Sequence, residues 1–253
     1  MTLPLPDPGA RWALFLDFDG TLVDIAPAPD LVHVPGGLPA LLERLRDRLD
    51  GALGIVSGRP IGQIDAYLRP FRAATAGLHG LERRRADGTM VETPPHPALE
   101  RLRARLVPFV ASRPGLLLED KGLSIALHYR NAPERGDECR AEMEAALADA
   151  PGLDLLHGKM VFEARPHGMD KGSAIALFLA EPPFHGRTPV FAGDDRTDED
   201  GFRIVAARGG LTVKVGAGDT LAAIRAGGVA EIHEWLTRLA DHLDASAKPE
   251  TSP

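Results

Sequence analysis

Leu14-Phe-Leu-Asp17-Phe-Asp19-Gly20-Thr-Leu22 decides how this chain is read. An apolar run, Trp12 to Leu16, stops at two carboxylates one residue apart, and Gly20 follows as punctuation. The run is predicted as a buried strand ending in a turn. Such a strand delivers its acids to the rim of a sheet, where ligands of open α/β folds bind. The plainer alternative is a turn solvated by its own carboxylates. Asp17 and Asp19 alone leave that choice open.

Outward from this strand, Leu41, Leu42, Leu45 and Leu49 recur at helical spacing behind Pro39, and Ala52 to Val56 forms a second apolar run. Strand, helix and strand make a βαβ unit, so the class is α/β with a parallel sheet. The rhythm changes in the middle of the chain. Leu99, Leu102, Leu106 and Val110 mark one helix, and Cys139, Met143, Ala146 and Leu147 another. Strands are predicted over Gly115–Leu118, Leu123–Tyr129 and Met160–Arg165. Helices grouped with neighbouring strands indicate an inserted α+β domain. Its expected span is 81–166, leaving 1–80 and 167–253 as the core. The alternation resumes with a helix over Lys171–Leu179, a strand over Thr188–Ala192, a helix over Thr197–Ala207 and a strand over Leu211–Val215. The polar, proline-bearing tail from Asp244 to Pro253 is expected to fray.

Composition narrows the partners. The 253 residues carry a net charge of −7 and are 44% apolar, with no block of like charge suited to a nucleic-acid backbone or a membrane surface. A small-molecule partner is expected, without nucleic acid or membrane; oligomeric state stays open. Cys139 is the only cysteine, which excludes an intrachain disulfide and fits a reducing cytoplasm. No apolar run reaches the roughly 18 residues needed to span a bilayer, and no export signal is visible at the start.

A second acid cluster, Gly193-Asp194-Asp-Arg-Thr-Asp198, follows another apolar strand. Two parallel strands in one sheet place their C-terminal ends on one rim, and hard carboxylate oxygens converging there suit Mg²⁺. Asp195 and Asp198 are read as supporting residues; for Asp198, helix capping competes with that role. Ser57-Gly58-Arg59 offers a hydroxyl and backbone amides to an anion, or is an ordinary turn. Lys171 opens a helix, where the macrodipole disfavours a cation, which hints at an anionic partner.

Asp-x-Asp-Gly-Thr, Ser-Gly, Lys and Gly-Asp-Asp, in this order and each at a predicted boundary, resemble the motifs of the haloacid dehalogenase superfamily of phosphotransferases. The resemblance implies a Rossmann-like core with an α/β cap inserted between the serine and lysine motifs. It also implies covalent catalysis, with Asp17 as nucleophile and Asp19 as general acid and base. Mg²⁺ would be held by Asp17, the Asp19 main-chain carbonyl and Asp194, while Ser57 and Lys171 hold phosphoryl oxygens. The insert, tethered at two junctions, invites closure over the site.

Four strings resemble the trehalose-6-phosphate phosphatase family within that superfamily: Gly77-Leu-His-Gly-Leu-Glu-Arg83, Leu118-Glu-Asp-Lys-Gly through His128-Tyr-Arg130, Gly158-Lys-Met-Val-Phe-Glu-Ala-Arg-Pro166 and Gly193-Asp-Asp-Arg-Thr-Asp-Glu199. The family implies sugar contacts from Glu119, Lys121 and Glu163. Gly58, Arg59 and His79 complete the substrate-binding candidates, although a lone His is often structural. Alternatives are a phosphatase of sucrose phosphate, mannosylglycerate phosphate or a hexose phosphate, a phosphomutase, and a noncatalytic sugar-phosphate sensor.

Overall fold

The computed structural model describes residues 2–7, 9–26, 31–91, 93–148 and 150–246. Two compact units emerge. One runs up to Val91 and resumes at Asp170, and the other ends at Met169.

In the first unit, β1 (Trp12–Leu16) is buried along its whole length, as an apolar run covered on both faces must be. Helix α1 (Leu38–Arg48) has Pro39 in its first turn and buries Leu38, Leu42 and Leu45. β2 (Leu53–Val56), α2 (Ile61–Tyr67) and β3 (Ala74–Gly77) continue the alternation. β4 (Glu82–Arg84) and β5 (Met90–Val91) then turn back antiparallel on β3.

This hairpin moves the first boundary from the expected Leu81 to Val91. Arg83 and Arg84 sit in a run that reads as polar surface, yet both are buried. The Arg83 guanidinium donates to both carboxylate oxygens of Glu181 at 2.8 and 3.1 Å and lies over the Phe178 ring. Arg84 donates to both oxygens of Asp65 at 2.7 and 2.8 Å. Bidentate pairs of this kind fix position as well as charge.

The second unit contains α3 (Ala98–Ala111), β6 (Leu117–Asp120), β7 (Ile125–His128), α4 (Gly136–Leu147), β8 (Leu153–Gly158) and β9 (Val161–Pro166). Its sheet is antiparallel in the order β6-β7-β9-β8. β6 begins two residues into the predicted Gly115–Leu118 strand and places Glu119 inside the ladder. β8 was not anticipated. One sheet face supplies Ile125, Leu127, Phe162 and Ala164 to a core shared with Leu99, Leu102, Leu106, Cys139 and Met143 of the helices. The opposite face carries the polar residues, as period-two alternation requires.

The chain returns to the first unit with α5 (Lys171–Leu179), β10 (Thr188–Gly193), α6 (Asp198–Ala206), β11 (Leu211–Val215), β12 (Ile224–Ala226) and α7 (Val229–Ser246). The resulting sheet has the order β12-β11-β10-β1-β2-β3-β4-β5 and is parallel from β12 to β3. Phe15 stacks with Phe178 and Phe184 at 6.0 and 5.2 Å between centroids, locking α5 onto the sheet. Each such buried ring contributes about 1.5–3 kcal/mol. Asp244 to Ser246 belong to α7, where Asp244 accepts hydrogen bonds from Arg44 and Arg48; the fraying expected from Asp244 therefore does not hold over 244–246, and 247–253 lie outside the described residues.

Candidate active site

Register brings the acids together. Leu16 of β1 pairs with Ala192 of β10 and with Ile55 of β2, so Asp17, Gly193 and Val56 stand next on one line. Asp194 and Ser57 follow one step later on their strands. The Asp17 N–H donates to Ala192 O at 3.0 Å, and the Ser57 N–H to Ala76 O at 2.9 Å, which pins both strand ends.

Asp17 is buried, and its Oδ1 accepts from Lys171 Nζ at 2.7 Å. Lys171 Nζ also donates to Asp198 Oδ1 at 2.7 Å. The lysine sits in the first turn of α5, behind an Asp170 N-cap whose side chain forms a reciprocal capping box with Ser173. Its charge opposes the macrodipole, and two buried carboxylates offset that penalty. Burial acts to lower the Lys171 pKa, but Asp17 and Asp198 outweigh it and hold the ammonium charged.

Asp17, Asp194 and Asp198 can each offer one oxygen, all within 4.8 Å of one another. Burial, and then the repulsion of Asp198 and Asp194, push the Asp17 pKa well up against the pull of Lys171. Burial and Asp198 raise Asp194 to about 6. A cluster of hard oxygens whose negative charge exceeds its one ammonium fits a divalent cation such as Mg²⁺. Gly20 is required here. At φ 80° it approaches so closely that a Cβ would lie 2.1 Å from Asp194 Oδ2.

Asp198 stands inside α6 and does not cap it, the N-cap being Thr197. It is fully buried at the start of α6, accepting from Lys171 and, through Oδ2, from the Asp195 N–H at 2.8 Å. It therefore closes the turn that carries Asp194. The Asp195 side chain is exposed. The Asp19 carboxylate lies outside the acid cluster; its two oxygens accept from Arg59 Nε and Nη2 at 2.6 and 2.7 Å. Only the Asp19 main-chain carbonyl is left for the metal role assigned to that residue. The Arg59 guanidinium carbon lies 5.8 and 5.4 Å from the centroids of the Phe18 and Tyr67 rings, which stack on each other at 5.9 Å.

Ser57 Oγ accepts from the Arg59 N–H at 3.1 Å. His79 is buried in the left-handed region at φ 57°, following Leu78 at φ 49°. Hydrogen bonds from the Leu78 N–H to Arg59 O at 3.1 Å and from the His79 N–H to Ser57 O at 2.9 Å hold this turn. Two non-glycine residues in that region cost roughly 1–3 kcal/mol each, and such strain concentrates at functional sites. It presses the His79 ring against Gly58, where a Cβ would stand 2.8 Å from Nε2. Nothing in the sequence around Leu78 announces this. Lys214, also unanticipated, is buried on β11 and donates to the Asp194 main-chain carbonyl.

In the second unit, Glu119, Ala126 and Glu163 lie in one row across β6, β7 and β9, so both glutamates share the polar face. Glu163 accepts from Ser124 Oγ at 2.6 Å and from Lys121 Nζ at 3.2 Å. Glu119 pairs with His128 at 2.8 Å. The three sugar-contact candidates are thus brought to a single sheet face. Among the described residues, no helix is long and apolar enough to cross a membrane.

The comparisons agree with this geometry. A family model for trehalose-phosphatase matches residues 15–223. The chain is 42% identical over 247 residues to the trehalose-6-phosphate phosphatase of Escherichia coli strain K12, covering 96% of this chain and 93% of that protein. It is 49% identical over 207 residues to a probable trehalose-phosphate phosphatase of Sinorhizobium fredii, covering 81% and 78%. A solved structure, a trehalose-6-phosphate phosphatase related protein, superposes with a TM-score of 0.78 at 30% identity, covering 93% of this chain and 99% of its own. With this match and the rim of acids behind it, the chain belongs to the trehalose-phosphatase family and is a phosphatase.

Proposed function

We propose that this protein hydrolyses trehalose 6-phosphate to trehalose and inorganic phosphate through an aspartyl-phosphate on Asp17, with Mg²⁺ as cofactor. The supporting observation is the buried Asp17 carboxylate held by Lys171 beside Asp194 and Asp198. An Asp17 oxygen attacks phosphorus, and the bond from phosphorus to the sugar oxygen breaks. The leaving oxygen takes a proton from the carboxylic acid form of Asp19. Asp19, now a carboxylate, takes a proton from a water that attacks phosphorus, releasing phosphate and restoring Asp17. Both Asp19 oxygens are engaged by Arg59 in this structure, so one of them must be given up to reach the leaving oxygen.

Asp17, Asp194 and the Asp19 main-chain carbonyl would hold Mg²⁺. When bound, it would supply positive charge that offsets the repulsion between carboxylate and phosphate ester. Lys171 and Ser57 would steady the phosphoryl oxygens as charge redistributes. We assign the phosphoryl chemistry to the first unit and sugar recognition by Glu119, Lys121 and Glu163 to the second. Charged groups make the stronger hydrogen bonds, and a disaccharide has many hydroxyls to receive them.

Phosphate release from trehalose 6-phosphate with Mg²⁺, repeated with EDTA and with Asp17→Asn, tests the reading. Turnover is expected only with Mg²⁺ and the intact Asp17. A panel containing sucrose phosphate, mannosylglycerate phosphate and hexose phosphates tests the substrate, and a stronger preference for one of these would replace the assignment.

A further inference from the structure

Arg165 stands out on the polar face of the second unit's sheet. It lies on β9 two residues after Glu163, so both side chains leave the same face, roughly 6–7 Å apart along the strand. The register continues that face through Asp154, the direct cross-strand neighbour of Arg165. The other charged side chains of the face have hydrogen-bonded partners. Glu119 pairs with His128, Lys121 with Glu163, and Asp154 with His167 at 3.0 Å. Arg165 Nε and Nη1 are buried and have no hydrogen-bond partner among the described residues.

That arrangement is costly for a resting structure. A guanidinium offers five N–H donors in a rigid fork and remains charged. Each buried donor left unmade costs about 1–3 kcal/mol. Asp154 could have satisfied the fork across the strand but accepts from His167 instead. A buried donor set kept without an acceptor is explained when a ligand supplies the acceptor.

We propose that Arg165 is a further substrate-binding residue, donating hydrogen bonds from its guanidinium to hydroxyl or ring oxygens of the polyhydroxylated leaving group beside Glu163. The inference rests on the sugar-phosphatase reading above. It divides the labour of one face. Glu119 and Glu163 accept from sugar hydroxyls, while Lys121 and Arg165 donate to sugar oxygens. A face presenting donors and acceptors in alternation discriminates a hydroxyl-rich leaving group from one lacking hydroxyls, because mismatched polar groups remain unpaired.

The experiment compares wild type, Arg165→Met and Arg165→Lys on trehalose 6-phosphate and on a small aryl phosphate, with thermal melting of each. Arg165→Met is expected to raise KM for trehalose 6-phosphate roughly ten- to a hundred-fold, with a much smaller change in kcat. The ratio of kcat/KM between the two substrates should fall by a similar factor. Arg165→Lys should recover part of the loss, since it restores a donor without the fork. Calorimetric titration of Asp17→Asn with trehalose, with and without Arg165→Met, gives a readout free of turnover and should show weaker binding in the double variant. An unchanged KM in a folded Arg165→Met protein, or equal loss on both phosphates, overturns the inference. If Arg165→Met fails to fold, the Arg165→Lys protein decides by the same ratio. Absence of wild-type turnover on trehalose 6-phosphate would count against the functional reading itself, whereas wild-type turnover with an indifferent Arg165 would count only against this residue.

Discussion

The two candidate sites are built by opposite means. At the rim of the parallel sheet, functional groups arrive from the ends of separate strands and helices. Asp17 and Lys171 are 154 positions apart and meet at 2.7 Å. On the antiparallel sheet, Glu119 and Glu163 are fixed by register within a single surface, and the small Ala126 between them leaves room. The first arrangement concentrates like charge beyond what one ammonium offsets. The second sets single acids beside basic side chains, Glu163 beside Lys121 and Glu119 beside His128, and keeps Arg165 apart from them. Convergence suits a reacting atom and its cation; a regular lattice of polar groups suits a rigid ligand with many hydroxyls.

The largest effect expected from this contrast is at Asp17. Asp17→Asn is nearly isosteric and should lower phosphate release from trehalose 6-phosphate and from an aryl phosphate alike, by roughly a thousand-fold or more, because the attacking oxygen is lost. Circular dichroism should show an unchanged fold. A loss confined to the sugar substrate would erase the distinction between the two sites.

Next is Gly20→Ala. Its Cβ would collide with the Asp194 carboxylate at a residue held at φ 80°. A loss of about 1–3 kcal/mol in stability should accompany a higher Mg²⁺ concentration for half-maximal activity. Normal Mg²⁺ dependence would show that Asp194 need not stay where Gly20 lets it stand.

Glu163→Ala should act differently. It should raise KM for trehalose 6-phosphate about ten- to a hundred-fold and leave the aryl phosphate much less affected. Glu119→Ala should follow it with a smaller change, because its partner His128 lies at the half-buried edge of the face. Equal losses on both substrates would mark these glutamates as structural.

The smallest effect concerns stability. Burial and Asp198 raise Asp194 from 3.8 to about 6, so between those values the folded protein binds more protons than the unfolded chain. The contribution is fully present below pH 3.8 and is lost as pH rises through about 6. In EDTA, Asp194→Asn should therefore melt higher than wild type at pH 7, with the difference shrinking toward pH 4. Melting curves at several pH values check this, and added Mg²⁺ should reverse the order at pH 7.

Much of the candidate-site rim was legible because apolar runs ended in acids at points where the chain was punctuated by glycine. That local pattern located Asp17, Asp19 and Asp194, and Lys171 drew notice by opposing a helix dipole. Asp198 was harder to place, because its oxygens become useful only when the turn after β10 curls back onto it. A Cβ on Gly193 would meet its carboxyl carbon at 2.3 Å. The β4–β5 hairpin escaped for a related reason. Three consecutive arginines read as surface, while the acids that receive Arg83 and Arg84 lie at Glu181 and Asp65. α7, with Ile232, Trp235, Leu236 and Leu239 buried at helical spacing, was readable from its pattern but formed no part of the sequence expectations.

The sequence alone determined the alternation of strands and helices, the points where strands stop, and the residue types waiting there, since these depend on side-chain period and turn chemistry over a few neighbours. Tertiary structure decided which of those groups share a charge. It gave Asp19 to Arg59, divided Lys171 between Asp17 and Asp198, and left Arg165 Nε and Nη1, on the strand of Glu163, without a partner among the described residues. Pairing of this kind depends on distances between residues far apart in the chain, which register and packing set and local pattern does not.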